Sequence, residues 1–399
     1  MYHFDEIIDR RGKNSAKWDS RFIGEGEKEL LPFWVADTDF AAPKEVQEAL
    51  RACVEHNLYG YSLPPEGCKA AVAGWQKRRH DFFVSEDWIS FVGGIDSALS
   101  AAVCAYTKPG DGVLIQTPVY APFFEAVERN GRTVLENPMV IRNGRYVPDF
   151  EDFAKKAGSA RLWMFCNPQN PTGRCFTREE LEKFVKICME NDVIMVSDEI
   201  HGDIVYEGCR HIPLASVSEK SRERTVTFTA PGKTFSLAGL STSAVIIPNQ
   251  KLRHAFETEK EKRCLSGNIL GLRAMEAAYA HGDVYADRLI SYLQCNRDFA
   301  LDYFKEKIPA IRAFSPEGTF LLWLDCGKLM LSEKELEAFF LSAGVRLSMG
   351  SAYGTGGEQF ARMNFGCPLE ILKEGLGRIG DFKYKGNRKK QKQPGRAEL

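Results

Sequence analysis

Thr225–Leu240 reads TVTFTAPGKTFSLAGL. A β-branched run forms a short strand, Pro-Gly breaks it, and a single lysine, Lys233, precedes a run of apolar and small residues. Two readings of Lys233 are open. Lysine is ordinarily solvated. A lysine held in a turn directly after a buried strand is instead one whose amine is desolvated and free to form a Schiff base.

The same pattern of strand followed by polar loop recurs upstream. WISFV (88–92) ends at Gly93-Gly94 and a helix, DSALSAAVCAYT. GVLIQ (112–116) ends at TPVY, RLWMFC (161–166) at NPQNPTGR, VIMVS (193–197) at DEIHGD, and SAVIIP (243–248) adds a further strand. Thr177 with Glu180 three residues on spells a helix-opening capping box. Strands alternating with helices predict an α/β fold, a largely parallel sheet with helices on both faces. Outside it, residues 1–44 read as an extended arm whose LPFWVADTDF run packs on something larger. Residues 45–285 read as the large domain, opening with two helices around the Tyr/Gly/Pro loop Asn57–Gly67. Residues 286–382 read as a smaller α+β domain, because IRAF, TFLLWLDC, VRLSMG and FARMNFG are strands with few helices between them.

Composition narrows the classes. The chain has 399 residues, enough for two or three domains, and no apolar run near the ~20 residues of a membrane span. Its N-terminus carries no signal-peptide core. The eleven cysteines are scattered singly, which points to a reducing cytoplasm. The seven histidines form no metal-ligating spacing, so no metal is expected. Net charge is −1, but residues 383–399 hold seven Lys/Arg against one Glu, a net +6 that leaves −7 on the rest. Such a tail reads as a solvated, disordered segment; without interleaved aromatics, nucleic acid is not expected as a partner.

In an open α/β sheet, ligands bind beyond the carboxyl ends of the strands. Gly93, Gly94 and Ile95 open a helix there and suit a phosphate, or are a plain turn. Tyr120 is an aromatic face for a planar ring, or packing. Asn170, in the second of two Asn-Pro steps, presents an amide inward, or is a turn residue. Asp198 ends an all-apolar strand and must be paired, for which a cationic ring nitrogen would serve. His201 buttresses that carboxylate, contacts the ring, or is structural. With Lys233, these positions fit one planar cofactor, pyridoxal 5'-phosphate, which needs a lysine, an acid, a donor, an aromatic face and a phosphate cup.

FWVADTDF, YGYS, TPVYAPF, NPQNPTGR, SDEIHGD, the Lys233 segment and RMNFGCP occur in that order over roughly Phe4 to Phe382. In these motifs the chain resembles the fold-type I pyridoxal-phosphate enzymes of the aminotransferase class I/II group. It is most similar to the MalY/PatB-type cystathionine β-lyases. The resemblance implies a mostly parallel seven-stranded sheet wrapped by helices, and a smaller α+β domain. It implies Lys233, Tyr120 and Asp198 as catalytic, with Lys233 the Schiff-base lysine and Tyr120 stacked on the ring. Gly94, Ile95, Asp96, Asn170, His201 and Thr229 join them around the cofactor. Arg362 would clamp the substrate α-carboxylate with a planar fork, alongside Asn170, Asp39 and Tyr61. Tyr59 or Tyr61 would reach the cofactor phosphate of the neighbouring subunit in a homodimer with shared sites. Two departures stand out. Gly232 replaces the serine often found before the lysine, so Thr229 or Ser97 would supply phosphate donors. Asp96 brings a carboxylate near the phosphate unless it points away as a helix cap.

The expected reaction is α,β-elimination of cystathionine or another S-substituted L-cysteine to a thiol, pyruvate and ammonia. An aminotransferase uses the same residues and differs in where the proton returns. A cofactor-binding regulatory protein with secondary lyase activity is the third possibility.

Overall fold

The computed structural model describes residues 2–19 and 30–382. The basic tail read at 383–399 lies outside the described residues. Seven strands form the main sheet: β1 (Ile89–Val92), β2 (Gly112–Thr117), β3 (Thr133–Pro138), β4 (Ala160–Cys166), β5 (Ile194–Asp198), β6 (Thr225–Thr229) and β7 (Ser243–Ile246). They lie side by side as β1-β7-β6-β5-β4-β2-β3. Only β7 runs antiparallel to its neighbours β1 and β6; the other pairings are parallel. Because β1 and β6 both oppose β7, they point the same way, and the carboxyl ends of six strands share one edge.

The strands are apolar because the sheet is covered twice. Along β4, Leu162, Met164 and Cys166 enter one core, and Trp163 and Phe165 enter another. That is the two-residue period of a pleated strand with both faces buried. The helices Ile95–Tyr106 and Gln250–Lys262 cover the first face, and Phe150–Ala157 and Arg178–Glu190 the second. Arg178–Glu190 opens with the reciprocal Thr177–Glu180 capping box that its spelling predicts.

A four-stranded antiparallel sheet follows: β8 (Arg312–Phe314), β9 (Leu321–Asp325), β10 (Ser348–Met349) and β11 (Phe360–Asn364), in the order β8-β9-β11-β10. The arm docks beside it. Leu31–Pro32 pairs in parallel with Val345–Arg346, the Phe33 carbonyl accepts from the Asn364 N–H at 2.8 Å, and the Asp39 N–H donates to the Gly366 carbonyl at 2.9 Å. Phe33 is buried against Gly375, where a β-carbon would fall within 2.4 Å of its ring.

Among the elements not evident from the sequence pattern are the edge strand β3, the small hairpin Val140–Arg142 with Arg145–Val147, and two short helices. The edge strand β3 reads TVLENP and is only partly buried, so no apolar run marks it. The helices Pro122–Glu128 and Phe150–Ala157 are two turns long, too short for a clear period.

Phe184, on Arg178–Glu190, sits at the centre of an aromatic cluster. Its ring lies 4.7 Å from Phe150 and Phe153 and 4.8 Å from Trp163. Phe184→Ala is expected to destabilise the fold by about 3–5 kcal/mol, lowering the chemical denaturation midpoint. An unchanged midpoint would mean that this helix is held to the sheet by other contacts.

Candidate active site

The six carboxyl ends bring most of the expected residues to one edge. Gly94 follows β1, Tyr120 follows β2, Asn170 follows β4, Asp198 closes β5 and Lys233 follows β6. Arg362 reaches the same place from β11 of the smaller sheet.

Lys233 is half-buried, and its Nζ donates to the Ala36 carbonyl at 2.7 Å. Burial lowers its pKa below the ordinary 10.5; Arg362 adds to this, while Asp37, Asp198 and Asp96 oppose it. The loop carrying it is closely packed: a β-carbon on Gly232 would lie 3.3 Å from Ala238 Cα. A serine there would push on that turn, so Gly232 suits the local packing. The next residue, Thr234, donates to Asp203 Oδ2 at 2.8 Å, and Asp203 Oδ1 meets Trp75 Nε1 at 2.8 Å and His80 Nε2 at 2.9 Å. The lysine loop is thus tied to the helix Cys68–His80.

Asp198 is buried and accepts the Ile200 N–H at 3.2 Å. Desolvation pushes its pKa up to about 7, against the pull of that hydrogen bond and of Lys233. A carboxyl raised in this way has room for a cation. His201 is buried with its ring edge-on to Phe320, 5.7 Å between centroids, and its Nδ1 has no partner. Burial, Lys233 and Arg362 hold it neutral, well below the ordinary 6.5. It makes no hydrogen bond to Asp198 among the described residues.

Arg362 is buried. Nη1 donates to Asn170 Oδ1 at 3.0 Å, and Nη2 donates to the Trp34 carbonyl and to Ser348 Oγ at 3.4 Å. Its guanidinium lies 5.4 Å from the Tyr353 ring centre, and Nε has no partner. Tyr120 is half-buried; desolvation, then Asp96, raises its pKa, with Arg362 and Asp198 also acting on it.

Gly94 has φ +114° and forms the N-cap of Ile95–Tyr106 without any side-chain cap. Its backbone N–H groups are therefore free to face a ligand. A β-carbon on Gly94 would sit 3.9 Å from Ser241 Cβ, so Ser241 borders this turn. Asp96 does not cap the helix; it lies on the first turn, where partial desolvation raises its pKa, Lys233 opposes the shift and Glu125 adds to it.

Four expected residues stand elsewhere. Asp39 has its oxygens taken by Arg10 at 2.6 Å, Lys17 at 2.7 Å and Trp18 Nε1 at 2.9 Å, so it anchors the arm and has none left for a substrate. The Thr229 hydroxyl lies between Gln76 Nε2 at 3.4 Å and Tyr279 at 3.3 Å, on the sheet face opposite to Phe228. It is spent on the helix layer there. Tyr59 donates to the Val54 carbonyl at 3.0 Å, and Tyr61 is fully exposed; in a single chain neither reaches the site. The sequence reading missed the arm carbonyls of Trp34 and Ala36, because a backbone acceptor has no residue-type signature. Ser348 and Tyr353 around Arg362 were missed because no sequence motif marks them.

The sequence profile described as aminotransferase class I and II matches residues 35–379. The chain is 42% identical to cystathionine beta-lyase PatB of Bacillus subtilis, over 94% of this chain and 98% of that protein. Among solved structures it is similar to a PLP-bound putative aminotransferase from Clostridium difficile, with 37% identity and a TM-score of 0.93 over 95% of this chain and 99% of that one. It is also similar to cystalysin from Treponema denticola, which contains a pyridoxal 5'-phosphate cofactor, with 34% identity and a TM-score of 0.92 over 95% and 98% of the two chains.

Asp198 gives the site a pH signature. Its folded value of about 7 lies above the ordinary 3.8. An acid raised on folding contributes its stability fully below the unfolded value and loses it as the pH rises through the folded one. In the cofactor-free chain, Asp198→Asn is expected to gain on the native protein as the pH rises from roughly 4 to 7, by on the order of 1–3 kcal/mol. Melting temperatures of both proteins across that range test this; a constant gap would mean that Asp198 ionises normally.

Proposed function

The chain belongs to the aminotransferase class I and II family, in its MalY/PatB-type group, and from that premise we propose that it is a pyridoxal-phosphate-dependent carbon–sulfur β-lyase. It cleaves cystathionine or another S-substituted L-cysteine to a thiol, pyruvate and ammonia. The observation that carries the reading is the meeting of Lys233, Asp198, Asn170 and Arg362 at one sheet edge, in a chain with a cystathionine β-lyase among its relatives.

The residues fit the cofactor. Asp198, buried and raised to about 7, would hold the proton of the pyridine nitrogen. The N–H groups after Gly94 would take the phosphate, with Ser241 beside them. Tyr120 offers a ring face, and Lys233 is the attachment point. When bound, pyridoxal phosphate supplies an electron sink for the charge that develops at the substrate Cα.

The remaining work falls to the chain. Arg362 turns its fork from Asn170 to the substrate α-carboxylate and sets the orientation of Cα. The Lys233 amine, its pKa lowered by burial and by Arg362, would be a base of useful strength for the Cα proton. His201, neutral and buried, adds no competing charge. The arm covers this edge and limits water.

We read the active form as a homodimer. Leu58, Tyr59, Tyr61 and Leu63 form an exposed apolar loop, 59–113% accessible, which is an unusual surface for a lone chain and suits a partner's site. Among the described residues no helix is long and apolar enough to cross a membrane; with the scattered thiols, this supports a cytoplasmic enzyme.

The test is incubation of the cofactor-loaded protein with L-cystathionine and S-alkyl cysteines in the absence of any keto acid. Thiol and pyruvate are expected in equal amounts, and neither from Lys233→Ala. Arg362→Lys, which loses the bidentate fork, is expected to lower kcat/KM roughly 10- to 100-fold. Transamination only on addition of a keto acid would assign the chain to the aminotransferases instead, the second reading, which similarity to the putative aminotransferase from Clostridium difficile favours.

A further inference from the structure

Lys17 lies 216 residues before Lys233 in the sequence and is 1% exposed. Its Nζ donates to Asp39 Oδ2 at 2.7 Å and to the Asp37 carbonyl at 3.2 Å, and stands 3.5 Å from Asp37 Oδ1. Arg10 completes the cluster on Asp37 at 2.7 Å and Asp39 at 2.6 Å. Two cations and two carboxylates therefore balance within a few ångströms. A fully buried lysine at the foot of an N-terminal arm is a costly way to hold a loop, because removing one partner would leave a buried charge.

The segment it holds runs directly over the site. Successive carbonyls face inward: Trp34 accepts from Arg362, Val35 from Asn364, Ala36 from Lys233, and Asp37 from Asn364 and Lys17. Thr38 Oγ1 meets Ser236 Oγ at 2.6 Å, three residues past Lys233. Of the three carboxylates acting on the Lys233 amine, Asp37 acts most strongly, ahead of Asp198 and Asp96; Arg362 is the opposing cation. His201 and Cys166 also feel the Lys233 charge.

We propose that Lys17 is a positioning residue for Lys233: by pairing Asp37 and Asp39 it holds the Ala36 carbonyl on the Lys233 amine and offsets the charge of Asp37, the residue next to that carbonyl. The role of Lys233 as the reacting amine rests on the lyase reading; the coupling of Lys17 to that amine does not. Removing Lys17 leaves the two charges of Asp37 and Asp39 answered by Arg10 alone, a net negative charge that favours the protonated Lys233 amine and raises its pKa. Removing Asp37 does the reverse.

The first measurement is the pH dependence of Lys233 acetylation in the cofactor-free protein, followed by peptide mass spectrometry. Lys17→Met is expected to move the midpoint up by about half to one unit, Asp37→Asn to move it down by a similar amount, and Lys17→Arg to restore it. The cofactor absorption band of the loaded protein is expected to titrate with the same order of midpoints. Shifts of the same sign in Lys17→Met and Asp37→Asn, or unchanged midpoints with a lowered melting temperature, would overturn the proposal and leave Lys17 as an anchor only. If Lys17→Met fails to fold, Lys17→Gln, which keeps a donor for the Asp37 carbonyl but not the charge, is expected to show the same upward shift, and an unchanged midpoint there would overturn the proposal. A native chain without any cofactor band would sink the lyase reading, while the amine titration still judges Lys17.

Discussion

Charge placed out of water must be answered by charge or hydrogen bonds nearby, and the carboxyl edge of the main sheet is arranged around that constraint. Lys233 stands among Arg362, Asp37, Asp198 and Asp96, all of which act on its amine, and it acts in turn on Asp198 and Asp96. Lys233 is made a weaker base, Asp198 a weaker acid, and His201 is kept neutral. None of these values belongs to one residue in isolation, so each strand end depends on its neighbours being in register.

Register follows from the apolar runs. Cys166 pairs with Asp198, and Asp198 with Phe228, so β4, β5 and β6 stop at matching heights. A slip of one residue in β5 would turn Asp198 to the opposite face and bring Ser197 round in its place. Ser197 is already committed there: its hydroxyl binds Glu199 at 2.7 Å, and Glu199 binds the Leu214 N–H and His211. The two faces of this strand end are thus chemically distinct, one for the reaction and one for the scaffold.

Much of this was legible in the residues. Strands ending in glycine, tyrosine, asparagine, aspartate and lysine gave the sheet, its direction and the edge where those side chains meet, because buried strands must be apolar and any polar residue closing one must have a purpose. What was not legible falls into two kinds. Side-chain direction near a strand end is hard to read, and Thr229, adjacent in sequence to the lysine loop, faces the helix Cys68–His80 instead. Contacts made through backbone atoms carry no residue label, so the arm read only as an extended apolar segment, and Asp39 was counted with the substrate contacts when Arg10, Lys17 and Trp18 already hold it.

The docking of that arm also has a consequence in time. Its partners Val345–Arg346, Asn364 and Gly366 lie more than 300 residues downstream. At about 5–20 residues per second of synthesis, Leu31 and Phe33 wait on the order of 15–60 seconds before the surface that buries them leaves the ribosome. The main sheet can assemble in that interval, but the carbonyls that receive Lys233 and Arg362 cannot be in place. The nascent chain is therefore inert until almost its last strand has been made, and in that window its opening aromatic stretch is the segment most in need of a chaperone.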